Sequence, residues 1–136
     1  MGITMTASGH EAYERRKRMS VATERHLRNL GYAIVSASGY RCDSGRFDLV
    51  ARDPLGTHVL VKLSVVTGPD RKVHAWRLRL PPMDTVGPAA RCYERDHPST
   101  PVRVDLVRAM VPDTGRGERP EIYHERGIWY GTACGR

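Results

Sequence analysis

The chain has 136 residues, and its 22 lysines and arginines outnumber its 15 aspartates and glutamates, giving a net charge of +7. That length is typical of one domain with its own hydrophobic core, and 40% hydrophobic with 27% charged residues excludes disorder over most of the chain. No apolar run is long enough to span a membrane and no apolar leader is recognisable. We therefore expect a cytoplasmic protein with no membrane partner.

The small, polar residues 1–10 predict a flexible N-terminal arm, followed by one domain over residues 11–129 and a tail over residues 130–136. Helical periodicity runs from Glu11 to Leu30. Its inward stripe is predicted to contain Thr23, Leu27 and Leu30, and Gly31 is expected to end the helix.

Three strands are predicted next, over Tyr32–Ser38, Arg46–Arg52 and His58–Val66, with a turn-rich link over Gly39–Gly45. The last strand has Val and Leu at most positions, as expected when both of its faces are covered. A short loop closing on Asp53 and Thr57, with Gly56 at positive φ, would join the second and third strands. That register sets Asp48 opposite Lys62.

The second half predicts a helix that begins at Asp84 or Thr85 and ends at Asp96, with Pro88 in its first turn. Strands over Val102–Val111 and Glu121–Glu125 follow. The order αβββαβ(β) predicts an α/β fold with a mixed central sheet of about four to five strands flanked by helices.

The cysteines and histidines show no metal-binding spacing. We interpret the thiols of Cys42, Cys92 and Cys134 as ordinary. The histidines are interpreted as surface or boundary residues; they are His10, His26, His58, His74, His97 and His124.

Several segments resemble one known family. The most specific is Gly45–Asp53, which reads Gly-Arg-Phe-Asp-Leu-Val-Ala-Arg-Asp, and the others are Gly31–Tyr32, Val59–Ser64, Val102–Val107 and His124–Gly127. They resemble the YraN-like family of small bacterial proteins, assigned as nucleases with a restriction-endonuclease-like PD-(D/E)XK fold. In that family the first segment typically reads Gly-Glu-Ile-Asp-Leu-Ile-Ala. The resemblance extends from about Ser20 to Trp129.

The resemblance implies a degenerate active site. Nucleases of this fold hold Mg²⁺ with a strand aspartate, a glutamate two residues before a lysine on the next strand, and often a glutamate on the first helix. Here Asp48 matches the aspartate, but the Glu-x-Lys pair falls on Lys62 and Ser64, the helix glutamate falls on Ser20, and Arg46 replaces a further glutamate. Because one carboxylate is too few for a hard cation, we expect no metal and no cofactor.

The strand register suggests a hypothesis in which the Lys62 ammonium replaces the metal and neutralises Asp48. Alternatively, both are solvated residues on an open face. Glu24, one turn beyond Ser20, could supply a displaced carboxylate, although a salt-bridge face with its neighbouring arginines is the other explanation. Asp105, which matches a family aspartate, is interpreted as a structural or rim residue.

The leading functional interpretation is a catalytically degenerate nuclease-fold protein that binds nucleic acid, DNA more than RNA. Trp76, beside His74, could stack on a base, or could belong to the core. The candidate phosphate contacts are Arg15, Arg16, Lys17, Arg18, Arg71, Lys72, Arg77 and Arg79.

Two alternatives remain open. One is an active Mg²⁺- or Mn²⁺-dependent endonuclease with displaced ligands. The other is a fold recruited as a protein-interaction or small-molecule module. A homodimer or a protein partner is compatible with each.

Overall fold

The structure is a computed structural model that describes residues 7–67, 83–111 and 120–133. These ranges contain two helices and seven strands. The helices are α1 (Ala7–Asn29) and α2 (Met83–Asp96); the strands are β1 (Ala33–Ser36), β2 (Tyr40–Cys42), β3 (Gly45–Phe47), β4 (Leu49–Arg52), β5 (His58–Thr67), β6 (Val102–Val111) and β7 (Glu121–Tyr130).

Five strands form the main sheet in the order β1-β4-β5-β6-β7. Only β5 and β6 pair in parallel; the other neighbours are antiparallel. Strands β2 and β3 form a separate hairpin. The predicted α/β class and mixed five-stranded sheet are confirmed.

Helix α1 covers one face of the sheet. Met19, Thr23 and Leu27 point inward, the last two with no exposed surface, and pack with the odd-numbered residues of β5. Leu30 was wrongly placed in this stripe, because it is 48% exposed. It lies beyond the end of α1, where Gly31 at φ +88° turns the chain and brings Tyr32 into the core instead.

Helix α2 covers the opposite face with Val86, Ala89, Ala90 and Tyr93. The helix spans Met83–Asp96, so Pro88 lies in its second turn. The prediction had placed this proline in the first turn. The proline is exposed, and its missing N–H costs the helix one backbone hydrogen bond. The helix contacts the β2–β3 hairpin as well as the sheet.

Several predicted boundaries change around the first strands. Helix α1 begins at Ala7, so it includes the last residues of the predicted arm. The link over Gly39–Gly45 contains β2 and much of the hairpin. The strand predicted over Arg46–Arg52 is divided into β3 and β4 by a bend at Asp48.

The end of the sheet also differs from the prediction. Strand β7 continues past Glu125 to Tyr130 because a bulge absorbs extra residues opposite Asp105. Gly127 adopts φ +68° in this bulge. By contrast, the loop between β4 and β5 is as predicted: the Asp53 N–H donates to the Thr57 carbonyl at 2.9 Å, and Gly56 has φ +91°.

Candidate functional site

Asp48 lies where the chain bends between β3 and β4. Phe47 packs in the core on the α2 side, whereas Leu49 packs on the α1 side. A regular strand would point these two side chains to the same face, since they are two residues apart. The bend therefore redirects Asp48, and its N–H donates to the Val61 carbonyl at 2.8 Å.

The Asp48 carboxylate is bound on both of its oxygens. Oδ1 accepts a hydrogen bond from Arg16 Nη2 on α1 at 3.0 Å, and Oδ2 accepts one from the Leu63 N–H on β5 at 2.8 Å. Arg16 Nη2 also donates to the Leu63 carbonyl at 3.1 Å. Arg16 thus joins helix α1 to the bend, and it is the partner of Asp48 that the sequence did not reveal.

Lys62 is not the partner of Asp48. The predicted register is correct from Leu49 opposite Val61 onward, but regular pairing ends there. The Lys62 ammonium lies 5.6 Å from the centre of the Phe47 ring and forms no salt bridge with any residue that the structure describes. The proposed Asp48–Lys62 ion pair is therefore wrong, because the bend turns Asp48 toward α1.

Lys62 nevertheless belongs to the electrostatics of this region. Burial lowers the pKa of its ammonium, Asp48 opposes that shift, and the positive charges of Arg46 and Arg16 reinforce it. The pKa consequently lies below the ordinary lysine value. The positive charges of Arg46 and Arg16, which add to the effect of burial on Lys62, would also attract an anion to this region.

Two surface cavities meet at Asp48. The first, of about 270 Å³, is lined by Tyr13, Arg16, Lys17, Ser20, Asp48 and Leu63. The second, of about 300 Å³, is lined by Ser38, Gly39, Tyr40, Arg41, Arg46, Phe47 and Asp48. Ser20 and Asp48 thus line one cavity, and Arg41 of the hairpin lines the other with Asp48.

Other predicted site residues lie elsewhere. Glu24 approaches Arg28 at 3.6 Å, which confirms the salt-bridge interpretation, and it lines neither of the two cavities at Asp48. Ser64 is half-buried on β5 beside Arg108 of β6 and lines neither cavity.

The basic cluster on α1 is divided around the helix. Consecutive residues are separated by about 100° around a helix axis, so four in a row cannot share one face. Arg16 and Lys17 line the first cavity, whereas Arg15 and Arg18 do not. The second predicted cluster lies outside the described residues; its members are Arg71, Lys72, Trp76, Arg77 and Arg79.

The site does not fit Mg²⁺ or Mn²⁺, which the resemblance implies for active nucleases. A hard cation needs several oxygen ligands. Of the described residues lining either cavity, Asp48 alone has a carboxylate, and both its oxygens are engaged. Across the described ranges, no group of three or more His, Cys, Asp or Glu side chains is arranged to hold a metal.

A second charged cluster lies buried on the α1 side of the sheet. Arg103 of β6 donates to Asp105 at 2.9 Å, to Asp53 at 2.6 Å and to the Tyr32 hydroxyl at 2.7 Å. Asp105 is fully buried and also accepts hydrogen bonds from the Gly127 N–H and from the His124 ring. These contacts confirm the structural interpretation of Asp105.

The cluster keeps its charges because its members are paired. Burial raises the pKa of Asp105, but hydrogen bonds from His124 and Arg103 outweigh burial and hold it below the ordinary value. The pKa of Asp53 is lowered in the same way, chiefly by its loop N–H groups and Arg103. Burial lowers the pKa of the Arg103 guanidinium, but the carboxylates of Asp105 and Asp53 raise it by more. The pKa of Arg103 therefore lies above its ordinary value.

His124 connects this cluster to the helix. Its Nε2 lies 2.7 Å from Asp105 and its Nδ1 lies 3.0 Å from Nε2 of His26 on α1. His124 is half-buried as a residue, with 7% of its side chain exposed, which agrees with the boundary position predicted for it. Arg103 and Asp105 alternate with Val102, Val104 and Leu106 in a mostly apolar strand, and this was the available signal for a buried ion pair.

The chain matches no protein-family model, and no curated protein matches it. Among the described residues, no helix has the length and apolar character needed to cross a membrane.

Proposed function

We propose that this protein is a catalytically degenerate relative of the YraN-like, restriction-endonuclease-like proteins that binds nucleic acid through its phosphates without metal-dependent cleavage. The observation that carries the proposal is the Arg16–Asp48 ion pair: an arginine binds the one aspartate to which the resemblance assigns a metal. DNA is favoured over RNA because the resemblance is to DNA-cleaving folds.

The charge around Asp48 favours an anionic ligand. Arg16 and Lys17 of α1 line one cavity with Asp48, and Arg41 and Arg46 of the hairpin line the other. Among the residues that the structure describes, Asp48 is the only acidic one lining these two cavities. Several cations around one neutralised carboxylate leave a net positive site, which attracts phosphate and responds to salt.

The same arrangement disfavours cleavage. Hydrolysis of a phosphodiester at such a site requires a metal or another group that stabilises charge and activates water. Asp48 is held by Arg16, and the positions assigned to the remaining ligands contain Lys62, Ser64 and Ser20. We therefore propose binding without hydrolysis.

Charge reversal tests the binding surface. Fluorescence anisotropy with a labelled DNA duplex would compare the wild-type protein with Lys17→Glu and Arg46→Glu. We expect each variant to weaken binding and to reduce its salt dependence, because fewer counterions are released on binding. Arg25→Glu is the matched control, since Arg25 is an exposed α1 residue that lines neither cavity.

Three results would contradict the proposal. The first is an equal loss of affinity in Arg25→Glu, which would indicate a response to net charge alone. The second is wild-type binding that does not change with salt. The third is Mg²⁺-dependent cleavage of plasmid, branched or single-stranded DNA that Asp48→Ala abolishes, which would establish the endonuclease alternative.

A further inference from the structure

The β2–β3 hairpin is fixed along one face of α2. At one end, the Tyr40 hydroxyl donates to the Asp96 carboxylate at 2.8 Å. At the other end, Gly45 approaches the helix so closely that a Cβ added to it would lie 3.4 Å from Cβ of Ala89. These two contacts set the alignment of every hairpin residue between them.

A pair of cysteines lies between those two contacts. Cys42 is the last residue of β2, and Cys92 lies on the α2 face that Ala89 and Asp96 also occupy. The Cys92 Sγ is 3.9 Å from Oγ of Ser44, in the two-residue turn that follows Cys42. Both thiols are partly exposed, so a small oxidant can reach them.

The surroundings of the two thiols make them chemically unequal. Partial burial raises the pKa of Cys42, but hydrogen bonds from the Cys92 thiol and from the backbone N–H groups of Ser44 and Gly45 outweigh it. The pKa of Cys42 therefore lies below the ordinary thiol value. The hydrogen bond to Cys42 raises the pKa of Cys92, so Cys92 keeps its proton longer.

We propose that Cys42 and Cys92 form a reversible intramolecular disulfide when the protein meets a hydroperoxide, with Cys42 reacting first and Cys92 resolving. The proposal concerns thiol chemistry alone and does not depend on the proposed function. In a cytoplasmic protein such a bond is transient and responds to oxidants.

The chemistry balances in two steps. The Cys42 thiol releases its proton, the thiolate attacks one peroxide oxygen and the O–O bond breaks. The departing hydroxide takes up that proton to form water, and Cys42 is left as a sulfenic acid. The Cys92 sulfur then attacks the Cys42 sulfur, the S–O bond breaks, and the departing hydroxide takes the Cys92 proton to form water. Overall, two thiols lose two electrons and two protons, and the peroxide becomes two waters.

The bond would have a structural consequence. The hairpin carries Arg41 and Arg46, which line the second cavity. A disulfide would add a covalent link between that hairpin and α2 at the point where the two elements already touch.

Peptide mapping of the full chain tests the proposal. The protein would be treated with a stoichiometric amount of hydrogen peroxide, alkylated, digested without reductant and analysed by mass spectrometry. We expect the peptides containing Cys42 and Cys92 to be joined with the loss of two hydrogens, and to separate after dithiothreitol. In Cys92→Ser we expect Cys42 sulfenic acid, trapped by dimedone.

The Cys134→Ser variant is the matched control, and we expect it to form the same disulfide at the same rate. The proposal is overturned if the oxidised wild-type protein contains a bond to Cys134, contains a bond between two molecules, or leaves both thiols fully alkylatable. Because the wild-type map alone decides between these outcomes, the proposal is tested even if a variant fails to fold.

Discussion

Two aspartate–arginine pairs in this protein use the same chemical groups in opposite ways. The Arg103–Asp105 pair is buried, with 7% and 0% of the side chains exposed, and every charged oxygen of its network has a partner within the fold. The Arg16–Asp48 pair lies at the surface, with 44% and 13% exposed, and opens onto two cavities. The buried pair is enclosed by the fold, whereas the exposed pair borders open cavities and is the one that we propose meets a ligand.

Burial explains the difference. A charge inside the protein requires full pairing, because leaving it uncompensated is strongly unfavourable. A charge at the surface is screened by water, contributes little to stability and remains free to exchange partners. The account can therefore be challenged by substitutions that should affect stability in one region and binding in the other.

The largest expected effect is on the buried cluster. Arg103→Ala would leave Asp53 and Asp105 without their shared cation, and we expect a loss of about 3–5 kcal/mol in the free energy of unfolding. Urea denaturation would measure it. The control is Arg52→Ala on β4 of the same sheet, an exposed arginine whose removal should change stability by less than about 0.5 kcal/mol. Similar values for both variants would contradict the assignment.

The next effect concerns the bulge in β7 that directs an N–H toward Asp105. Gly127→Ala would force a side chain into positive φ and into overlap with the Tyr130 phenol. We expect a loss of about 1–3 kcal/mol. Gly56→Ala is the control, since φ is also positive there but an added Cβ meets nothing within 4 Å. Equal losses would show that overlap with Tyr130 is unimportant.

The third effect is a dependence of stability on pH near the α1–sheet contact. Burial, reinforced by His124, lowers the pKa of His26 below 6.5. The unfolded chain therefore binds a proton at His26 more readily than the folded chain. Well above pH 6.5 this difference does not affect the free energy of unfolding, which falls as the pH drops from about 6.5 to the lower pKa of the folded state. Below the folded-state pKa the loss is complete.

Urea denaturation at about pH 7.5 and about pH 5.5 would measure this dependence. His26→Gln should reduce the loss of stability on acidification, although His58, whose pKa burial also lowers, keeps part of it. The exposed His10 provides the control variant His10→Gln. An unchanged pH dependence in His26→Gln would refute the assignment.

The smallest effect is expected for the exposed pair. A double-mutant cycle with Arg16→Ala and Asp48→Ala should give a coupling free energy of about 0.2–1 kcal/mol, because Arg16 is nearly half exposed. A coupling as large as that of the buried pair would show that the two regions do not differ in the way described.

The sequence predicts the sheet well and the site only in part. The continuous apolar character of β5 and the short loop before it identified a central strand and its register. The bend at Asp48 was not predictable from strand periodicity, since alternation alone continues β3 into β4. Because of this bend, the Asp48 carboxylate binds Arg16 and not the predicted partner, Lys62.

The buried cluster shows a second limit. Arg103 and Asp53 are 50 residues apart, and no local pattern links them. Arg103 and Asp105 could be recognised as neighbours on one strand face, but their partners depend on how β1, β4 and β7 assemble around them. Long-range pairing of buried charges is therefore visible only once the fold is known.

The affinity of Asp48→Asn for a DNA duplex, measured against salt with and without Mg²⁺, tests the central claim most directly. The amide can still accept the Leu63 N–H bond, while Arg16 is released from its carboxylate. We expect tighter binding than wild type, a log–log salt slope steeper by about 0.9 because Arg16 gains one phosphate contact, and no dependence on Mg²⁺. The opposite result is weaker binding by Asp48→Asn together with a wild-type protein that needs Mg²⁺ to bind or to cleave the duplex. That result would contradict the proposed metal-free binding.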